Sequence, residues 1–233
     1  MGAYVPGEIE RICKLTPPDI SIVTEVGPQH LERFGTLENV KIAKYEIIKN
    51  LAPDGVGVFN WDNPYIREMI AENYPQTRLT VSRELTLDEA KTQNVTWLAT
   101  DIQESLAGLS FTITHVPTGE QEHVTTSVVG EHNVTNLLLS TAVAYHEGIP
   151  LRDIAFRIRA LQPAESRLVT QTTAENITII NDAYSANPKG VVSALKVLGM
   201  YQNGKRLLIT PGMIELGTLH DVENRKLGEL AVH

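Results

Sequence analysis

Short apolar runs alternate along the chain with segments in which apolar residues recur every three or four positions. "DISIVTEVGP" predicts a buried strand that ends at Gly27-Pro28. "DGVGVFNWDNP" predicts a turn, a short strand and a polar stop, and "TRLTVS" predicts another strand. In "LENVKIAKYEIIKNL" the apolar residues follow helical spacing, with Thr36 before them as a candidate N-cap. "PYIREMIAENY" indicates a shorter helix. This alternation predicts parallel α/β layers.

A β-rich section interrupts the alternation between residues 95 and 129. "VTWLATDIQ", "GLSFTITHV" and "EHVTTSVVG" are rich in β-branched and aromatic residues, and "PTGE" at residues 117–120 is typical of a hairpin turn. We therefore expect a small antiparallel section beside a mainly parallel sheet.

The last hundred residues return to helices and strands. "HNVTNLLLSTAVAYHEG" predicts a helix that stops at Gly148, and "LRDIAFRIRALQ" predicts a second helix. "PAESR" has the composition of a linker. After it we expect a hairpin in "LVTQTTAENITIIND", a helix from Pro188, a strand in "KRLLITPG" and a final helix in "DVENRKLGELAVH".

Composition narrows the class of protein. The 233 residues are 42% hydrophobic and 21% charged, which is ordinary for a soluble globular protein. A net charge of −8 with no basic block argues against nucleic acid and anionic membranes as partners. Cys13 is the only cysteine, so no internal disulfide can form, and we expect a reducing compartment such as the cytoplasm. No apolar run approaches the ~20 residues of a membrane span, so we expect no membrane insertion.

Polar clusters stand where strands end or helices begin, which is where ligands bind in open α/β sheets. His30 follows the first strand, and Asn133 and Asn136 are three positions apart at a helix start, so they share a face. Each has a structural alternative. His30 could be a satisfied turn histidine, while Asn133 and Asp182 could each cap the helix beside it.

Lys44 lies beside the apolar stripe of its helix, with Val40 and Ile48 one turn away on either side. Such a lysine loses hydration, which lowers its pKa and favours the neutral amine that can react with carbon dioxide. From the residues alone the simpler alternative is favoured, in which the stem lies on the stripe and the ammonium reaches water.

The segment "GMYQNGKR" at residues 199–206 fits part of the phosphate-loop pattern G-x-x-x-x-G-K but fails its other requirements. Arg206 stands where a magnesium-binding Ser or Thr is needed, and the segment is predicted to follow a helix and precede a strand. We therefore expect no phosphate loop here.

Four of these segments together resemble the Mur ligase family, the ATP-dependent amide-forming ligases of peptidoglycan synthesis. "VGPQHLERFGTLENVKIAKYEII" resembles its central-domain segment, in which a His precedes a helix with a conspicuous Lys. "GEHNVTN" resembles the family's adenine segment, "PAESRL" its Arg-containing domain junction and "NDAYSANP" its ribose-contacting segment. The order and spacing of the four agree over nearly the whole chain.

The resemblance implies a role for each matching residue. The implied catalytic residues are Lys44, His30 and Arg167. The implied ATP-binding residues are His132, Asn133, Asn136, Arg167 and Asp182. Tyr184 and Asn187 are implied to bind substrate. Two Mg²⁺ ions are expected with ATP, and the implied metal-binding residues are His30 and Lys44, with Lys44 carbamylated.

Within the family, "NDAYSANP", "TPGMIELG" and "MGAYVPGEI" resemble the members that add D-alanyl-D-alanine to a UDP-N-acetylmuramoyl-tripeptide. The resemblance implies that the donor carboxylate attacks the γ-phosphate of ATP and that the dipeptide amine then displaces phosphate from the acyl phosphate. It implies a central ATP-binding domain over residues 1–163 and a Rossmann-like ligase domain over residues 164–233. The full-length enzyme is expected to be monomeric.

The chain departs from the family pattern at both ends. The family's phosphate loop, its UDP-binding domain and a magnesium-binding Glu are expected before Met1, and further elements after His233. By this comparison we expect an internal piece of the enzyme that is inactive alone. Two alternatives stay open: another amide ligase of the superfamily, such as a folylpolyglutamate or cyanophycin synthetase, and a non-catalytic scaffold without the loop.

Overall fold

The chain folds around one large sheet, and the computed structural model describes residues 2–72, 76–162, 168–183 and 187–232. Among these residues the helices are α1 (Glu8–Leu15), α2 (Leu31–Phe34), α3 (Leu37–Lys49), α4 (Pro64–Ala71), α5 (Leu87–Thr92), α6 (His132–His146), α7 (Leu151–Arg159), α8 (Pro188–Gly199) and α9 (His220–Val232). The strands are β1 (Ile20–Val23), β2 (Val56–Asn60), β3 (Thr77–Ser82), β4 (Trp97–Ser105), β5 (Gly108–His115), β6 (Glu120–Thr126), β7 (Val169–Thr172) and β8 (Thr178–Asn181).

The large sheet has six strands in the order β1-β2-β3-β4-β5-β6. The first four are parallel, whereas β4, β5 and β6 form an antiparallel meander. The predicted α/β class is therefore confirmed, including the antiparallel section and its turn before β6. A separate pair, β7 and β8, is the predicted hairpin that follows the linker.

Helices cover both faces of the parallel strands. β2 is buried along its whole length, as expected for a strand between two helical layers. Side chains alternate between faces, so Val58 packs with α6 and α7 while Phe59 packs with α3 and α4. Each such buried side chain contributes roughly 1.5–3 kcal/mol to stability.

Side-chain caps start several helices where the sequence indicates. The predicted cap Thr36 accepts a hydrogen bond from the backbone N–H of Asn39 (3.1 Å) at the start of α3. Asn63 caps α4 through the backbone N–H groups of Tyr65 (3.1 Å) and Ile66 (3.2 Å). Such a cap contributes about 0.5–2 kcal/mol. These caps fix where the loops after the strands end, and so which residues border the sheet edge.

The predicted strand in "KRLLITPG" is wrong, because residues 205–210 have irregular backbone. Leu207 is 76% exposed and Ile209 is 87% exposed, so the apolar run lies on the surface. A strand needs a neighbour for its N–H and C=O groups. In the part of the chain that the structure describes, the hairpin sheet consists of β7 and β8 alone.

The predicted domain boundary at residues 163 and 164 lies outside the described residues. Within the described ranges, every helix is too short or too polar to cross a bilayer.

Substitution of Gly108 tests how closely β5 and β6 of the meander are packed. Its φ is +128°, and an added Cβ would lie 1.8 Å from the carbonyl oxygen of Thr126 in the next strand. We expect Gly108→Ala to lower the free energy of unfolding by about 4–5 kcal/mol, the range reached only by severe point mutations. The measurement is urea unfolding followed by circular dichroism.

Gly119 supplies a matched control, since its φ is also positive (+75°) but no atom lies within 4 Å of its added Cβ. Gly119→Ala should cost only the left-handed backbone penalty of about 1–2 kcal/mol. Equal losses in the two variants would mean that the contact at Gly108 relaxes without cost.

Candidate functional site

Lys44 reaches from α3 into the loop that follows β1. Its Nζ donates to the backbone oxygen of Glu25 (2.7 Å) and to Oε1 of Gln29 (3.2 Å). Burial lowers the pKa of Lys44, and the charge of Glu25 opposes that shift. These contacts disfavour the alternative in which the ammonium simply reaches water, although Lys44 is only half-buried, and the neutral amine is more accessible here than at an ordinary surface lysine.

Glu25 links this loop to two helices. Its carboxylate accepts hydrogen bonds from Nδ2 of Asn63, which caps α4, and from Nζ of Lys189 in the first turn of α8 (2.8 Å). Asn63 Nδ2 also donates to the backbone oxygen of Val26 (2.8 Å). A cleft of about 220 Å³ lies beside Glu25, Asn63 and Lys189. The residues that line it are Glu25, Val26, Gly27, Pro28, Gln29, Leu37, Asn63, Pro64, Tyr65, Asn187, Pro188 and Lys189.

His30 stands at the start of α2 in a left-handed conformation, with φ of 52°. Its Nδ1 is paired with the carboxylate of Glu215. The rings of His30 and Tyr4 pack edge to face, with 5.0 Å between their centroids. This geometry agrees with the satisfied turn histidine as well as with a ligand that uses the other ring nitrogen. A ligand role for His30 stays a prediction.

The described residues offer only part of a metal site. Among them, no three His, Cys, Asp or Glu side chains are grouped closely enough to hold a metal ion. Magnesium prefers oxygen ligands and usually retains waters and substrate phosphates. A carbamate on Lys44 would supply such an oxygen, and the lowered pKa of its amine suits carbamate formation. Lys44 therefore fits magnesium better than His30 does.

A second cluster lies at the start of α6. Glu131 occupies the N-cap position, so the alternative in which Asn133 caps the helix is wrong. Asn133 Nδ2 instead donates to the backbone oxygen of Val129 (2.8 Å), and Asn136 Nδ2 donates to Oδ1 of Asn133 (3.0 Å). The predicted shared face of the two asparagines is confirmed.

Asp182 approaches this second cluster through Leu168, the residue before β7. Its Oδ1 accepts from the backbone N–H of Leu168 (3.1 Å), and the buried Leu168 side chain packs against Val129 and Val197. The cap of α8 is Asn187, which accepts from the backbone N–H of Gly190 (3.0 Å). The alternative in which Asp182 caps that helix is therefore wrong.

One face of α8 contacts both clusters. Lys189 pairs with Glu25 at the first cluster, Ser193 Oγ lies 3.0 Å from Nδ1 of His132 at the second, and Lys196 pairs with Glu131. The spacing of four and three positions puts these side chains on one helix face. The spacing of Lys189, Ser193 and Lys196 is visible in the sequence, but comparison of motifs did not single out these three residues.

Lys196 completes an ion network that the sequence did not indicate. Glu131 also pairs with Arg83, and Lys196 Nζ lies 3.2 Å from Oε2 of Glu104, an ion-pair distance without good hydrogen-bond alignment. The hydrogen bond between Lys196 and Glu131 raises the pKa of Lys196 and lowers that of Glu131. Glu104 is 4% exposed and also accepts from the backbone N–H of Gly130 (2.8 Å).

Two implied site residues, Arg167 and Tyr184, lie outside the described residues. The remaining implied residues fall into the two groups along α8. Lys44 of α3 contacts the loop after β1, the loop that ends at His30, and Asn187 lines the cleft that this loop borders. His132, Asn133, Asn136 and Asp182 belong to the region around the start of α6.

Comparison with known proteins gives a consistent result. The sequence profile of the Mur ligase middle domain matches residues 1–144. The UDP-N-acetylmuramoyl-tripeptide–D-alanyl-D-alanine ligase of Bacillus subtilis is 29% identical over 98% of this chain and 47% of its own length. The Escherichia coli enzyme of the same name is 30% identical over 99% of this chain and 49% of its own length.

A solved structure gives the same picture for the fold. The crystal structure of MurF from Acinetobacter baumannii superposes with a TM-score of 0.86 at 28% identity, covering 100% of this chain and 49% of the other. The chain thus spans about half the length of the relatives that it matches. Since the family profile covers more than half of its residues, the chain belongs to the Mur ligase family and contains that family's middle domain.

Proposed function

We propose that the protein is an ATP-dependent amide ligase that joins D-alanyl-D-alanine to a UDP-N-acetylmuramoyl-tripeptide. The names of the relatives that match nearly the whole chain support this assignment. The segment "NDAYSANP" supports the dipeptide as acceptor. The donor carboxylate attacks the γ-phosphorus of ATP and ADP leaves, which gives an acyl phosphate. The dipeptide amine then attacks the acyl carbon, phosphate leaves and the nitrogen loses a proton.

The observation that carries the proposal is the contact of α8 with both polar clusters. Lys189 and Lys196 are seven residues apart, so the two contacts lie about 10 Å apart along the helix axis. A nucleoside triphosphate can span such a distance. In our proposal the adenosine lies by the start of α6 and the phosphates extend toward Lys44.

Each implied residue then has a chemical task. Asp182 accepts from the ribose hydroxyls, while Asn136 and Asn133 with His132 contact adenine. Arg167 faces the phosphates, and Tyr184 and Asn187 contact the dipeptide side of the cleft. An Arg suits phosphate because its guanidinium can donate two parallel hydrogen bonds.

Magnesium fits the proposed site through Lys44. The carbamate of Lys44 together with His30 would hold Mg²⁺, and the ion would supply charge neutralisation between phosphate and carboxylate oxygens when it is bound. Burial of Lys44 keeps its amine available for carbamate formation. The contact of its Nζ with Gln29 holds the side chain against the loop that carries His30.

Domain limits, oligomeric state and cellular location complete the proposal. We propose a central ATP-binding domain over residues 1–163, a ligase domain from residue 164, a monomeric full-length enzyme and a cytoplasmic location. The single cysteine is buried, and burial raises the pKa of its thiol, which suits a reducing compartment without requiring it.

The direct test is ligation by the complete protein that the gene encodes. It is incubated with ATP, Mg²⁺, D-alanyl-D-alanine and a series of UDP-N-acetylmuramoyl peptides, and the joined product is detected by mass spectrometry. Product formation with a tripeptide donor is expected. Ligation of glutamate to a folate instead would favour the folylpolyglutamate alternative, and no ligation with any pair would favour the scaffold.

Asp182 tests the ribose contact. Asp182→Asn keeps an oxygen that can accept from Leu168 but removes the charge, so the fold should be almost unchanged. We expect ATP binding to weaken by about 1–3 kcal/mol, as for loss of a hydrogen bond to a charged group. Calorimetric titration of the complete protein measures it. Unchanged affinity with a collapsed melting temperature would make Asp182 a purely structural residue.

Lys44 tests the carbamate. We expect Lys44→Arg to lower kcat by at least about 100-fold, the order seen when one preorganised charge-stabilising group is lost. A guanidinium stays cationic and cannot carry the carbamate. In the unaltered enzyme, removal of dissolved carbon dioxide should lower kcat. Activity should also fall as the pH falls through the lowered pKa of Lys44, because protonation removes the amine that reacts.

Lys41 is the matched control on the same helix. It is paired with Glu38 and Glu68 at the surface, and these hydrogen bonds raise its pKa. Lys41→Arg should therefore leave kcat unchanged. If Lys44→Arg turns over as fast as Lys41→Arg, the carbamate hypothesis is wrong.

The 233 residues alone should neither hydrolyse ATP nor join peptides. They contain no G-x-x-x-x-G-K-[ST] segment, and residues 199–206 have Arg206 in place of the Ser or Thr. Such a loop supplies the N–H groups and the Lys that hold the β- and γ-phosphates. Phosphate release with Mg²⁺ and both substrates measures the rate. Turnover near ~1 per second, an ordinary enzyme rate, would contradict this expectation.

A further inference from the structure

The pair formed by His30 and Glu215 joins segments that are 185 residues apart in the sequence. His30 is the N-cap of α2, directly after the loop that contacts Lys44, whereas Glu215 lies between α8 and α9. Both residues have left-handed backbone, with φ of 52° and 61°. Left-handed residues other than glycine persist where the surrounding structure holds them, and they are frequent at functional sites.

The segment of Glu215 is held firmly on both sides. Met213 and Leu216 are buried and pack together with Leu227 of α9. Asn224 of α9 accepts from the backbone N–H of Met213 (2.8 Å) and donates to its backbone oxygen (2.9 Å). The carboxylate of Glu215 is therefore presented from a fixed loop rather than from a mobile one.

The segment of His30 is held as firmly, and the two segments meet through their backbones. Leu31 and Phe34 of α2 are buried in the core beside α3. The backbone N–H of Glu32 approaches the backbone oxygen of Glu215 (3.4 Å). An added Cβ at Gly217 would lie 3.5 Å from the same backbone nitrogen, so the two chains are in close contact there.

We infer that Glu215 is a positioning residue for His30. By accepting from Nδ1, its carboxylate fixes the neutral imidazole as the tautomer with the proton on Nδ1. The lone pair is then on Nε2, which becomes the nitrogen that can bind a ligand or accept a proton. A carboxylate that orients a histidine in this way is a common device in proteins whose imidazole must present one defined nitrogen.

The alternative is an ordinary ion pair that adds stability. The His30 side chain is 42% exposed and that of Glu215 is 37% exposed, and pairs of this exposure contribute little. An ion pair this weak does not require both residues to adopt left-handed backbone, nor does it require the loop of Glu215 to be held by Asn224. The inference rests on the proposed function for its catalytic meaning, whereas the tautomer itself is a property of the chain alone.

The test is nuclear magnetic resonance of the ¹⁵N-labelled complete protein, in which ring nitrogens that carry a proton are distinguished from those that do not. The chain has seven histidines, and the signals of His30 are assigned by their loss in His30→Gln. Spectra are recorded at about pH 8.5, well above the ordinary histidine pKa of about 6.5. We expect His30 to be protonated on Nδ1 in the unaltered chain.

Two substitutions separate hydrogen bonding from charge. Glu215→Gln keeps an oxygen that can accept from Nδ1, so the Nδ1–H tautomer should persist. Glu215→Ala removes the acceptor, so His30 should shift toward the Nε2–H form that free histidine favours. In the complete enzyme, kcat should fall about 10–100-fold for Glu215→Ala, as for loss of other residues that orient a ligand, and should recover largely in Glu215→Gln.

Glu32→Ala is the control, because it removes an exposed carboxylate two positions from His30 and should leave the tautomer unchanged. The inference is overturned if the Nδ1–H tautomer persists in Glu215→Ala, or if Glu215→Gln behaves as Glu215→Ala does. A failed ligation assay would overturn the proposed function but would leave the tautomer measurement intact, so the two failures are distinguishable.

Discussion

The seating of α8 on the large sheet is the constraint on which the candidate site depends. Three side chains on one face of this helix contact Glu25 in the loop after β1 and Glu131 and His132 at the start of α6. Exposed ion pairs contribute only about 0–1 kcal/mol each. The apolar contact of Val197 with Val129 and Leu168 adds burial at the centre of this interface. The polar contacts thus orient the helix, while apolar packing contributes most of the stability of this interface.

Asn63 shows how tightly folding and the site are linked. Its oxygen caps α4, and its nitrogen binds the loop after β1 through Glu25 and Val26. A buried amide with partners on both sides is costly to disturb, because each unmet group carries its own desolvation penalty. The same side chain therefore starts a helix and shapes the wall of the cleft. To separate the cap of α4 from the contact with the loop, a substitution must keep only the side-chain oxygen or only the side-chain nitrogen.

Local pattern predicted most of the fold, because each predicted element depends on its own residues. Thr36 and the stripe of α3 are short-range features, as is the turn before β6. The strand expected at residues 205–210 failed because a strand depends on a neighbour elsewhere in the chain. The site followed the same rule: the family resemblance indicated His30 and Lys44, but no local pattern could reveal that Glu215 pairs with His30 or that Glu25 anchors Lys189.

The two ends of α8 respond differently to ionic strength. Lys189 is 72% exposed, whereas Lys196 pairs with Glu104, which is only 4% exposed. At 0.1 M salt the screening length is about 10 Å, and exposed charges are weakened far more than buried ones. Added salt should therefore weaken the contact of Lys189 with Glu25 before the contact of Lys196 with Glu104. Because Lys189 and Glu25 both line the cleft, the charge at its rim responds to salt concentration while the apolar core of the protein does not.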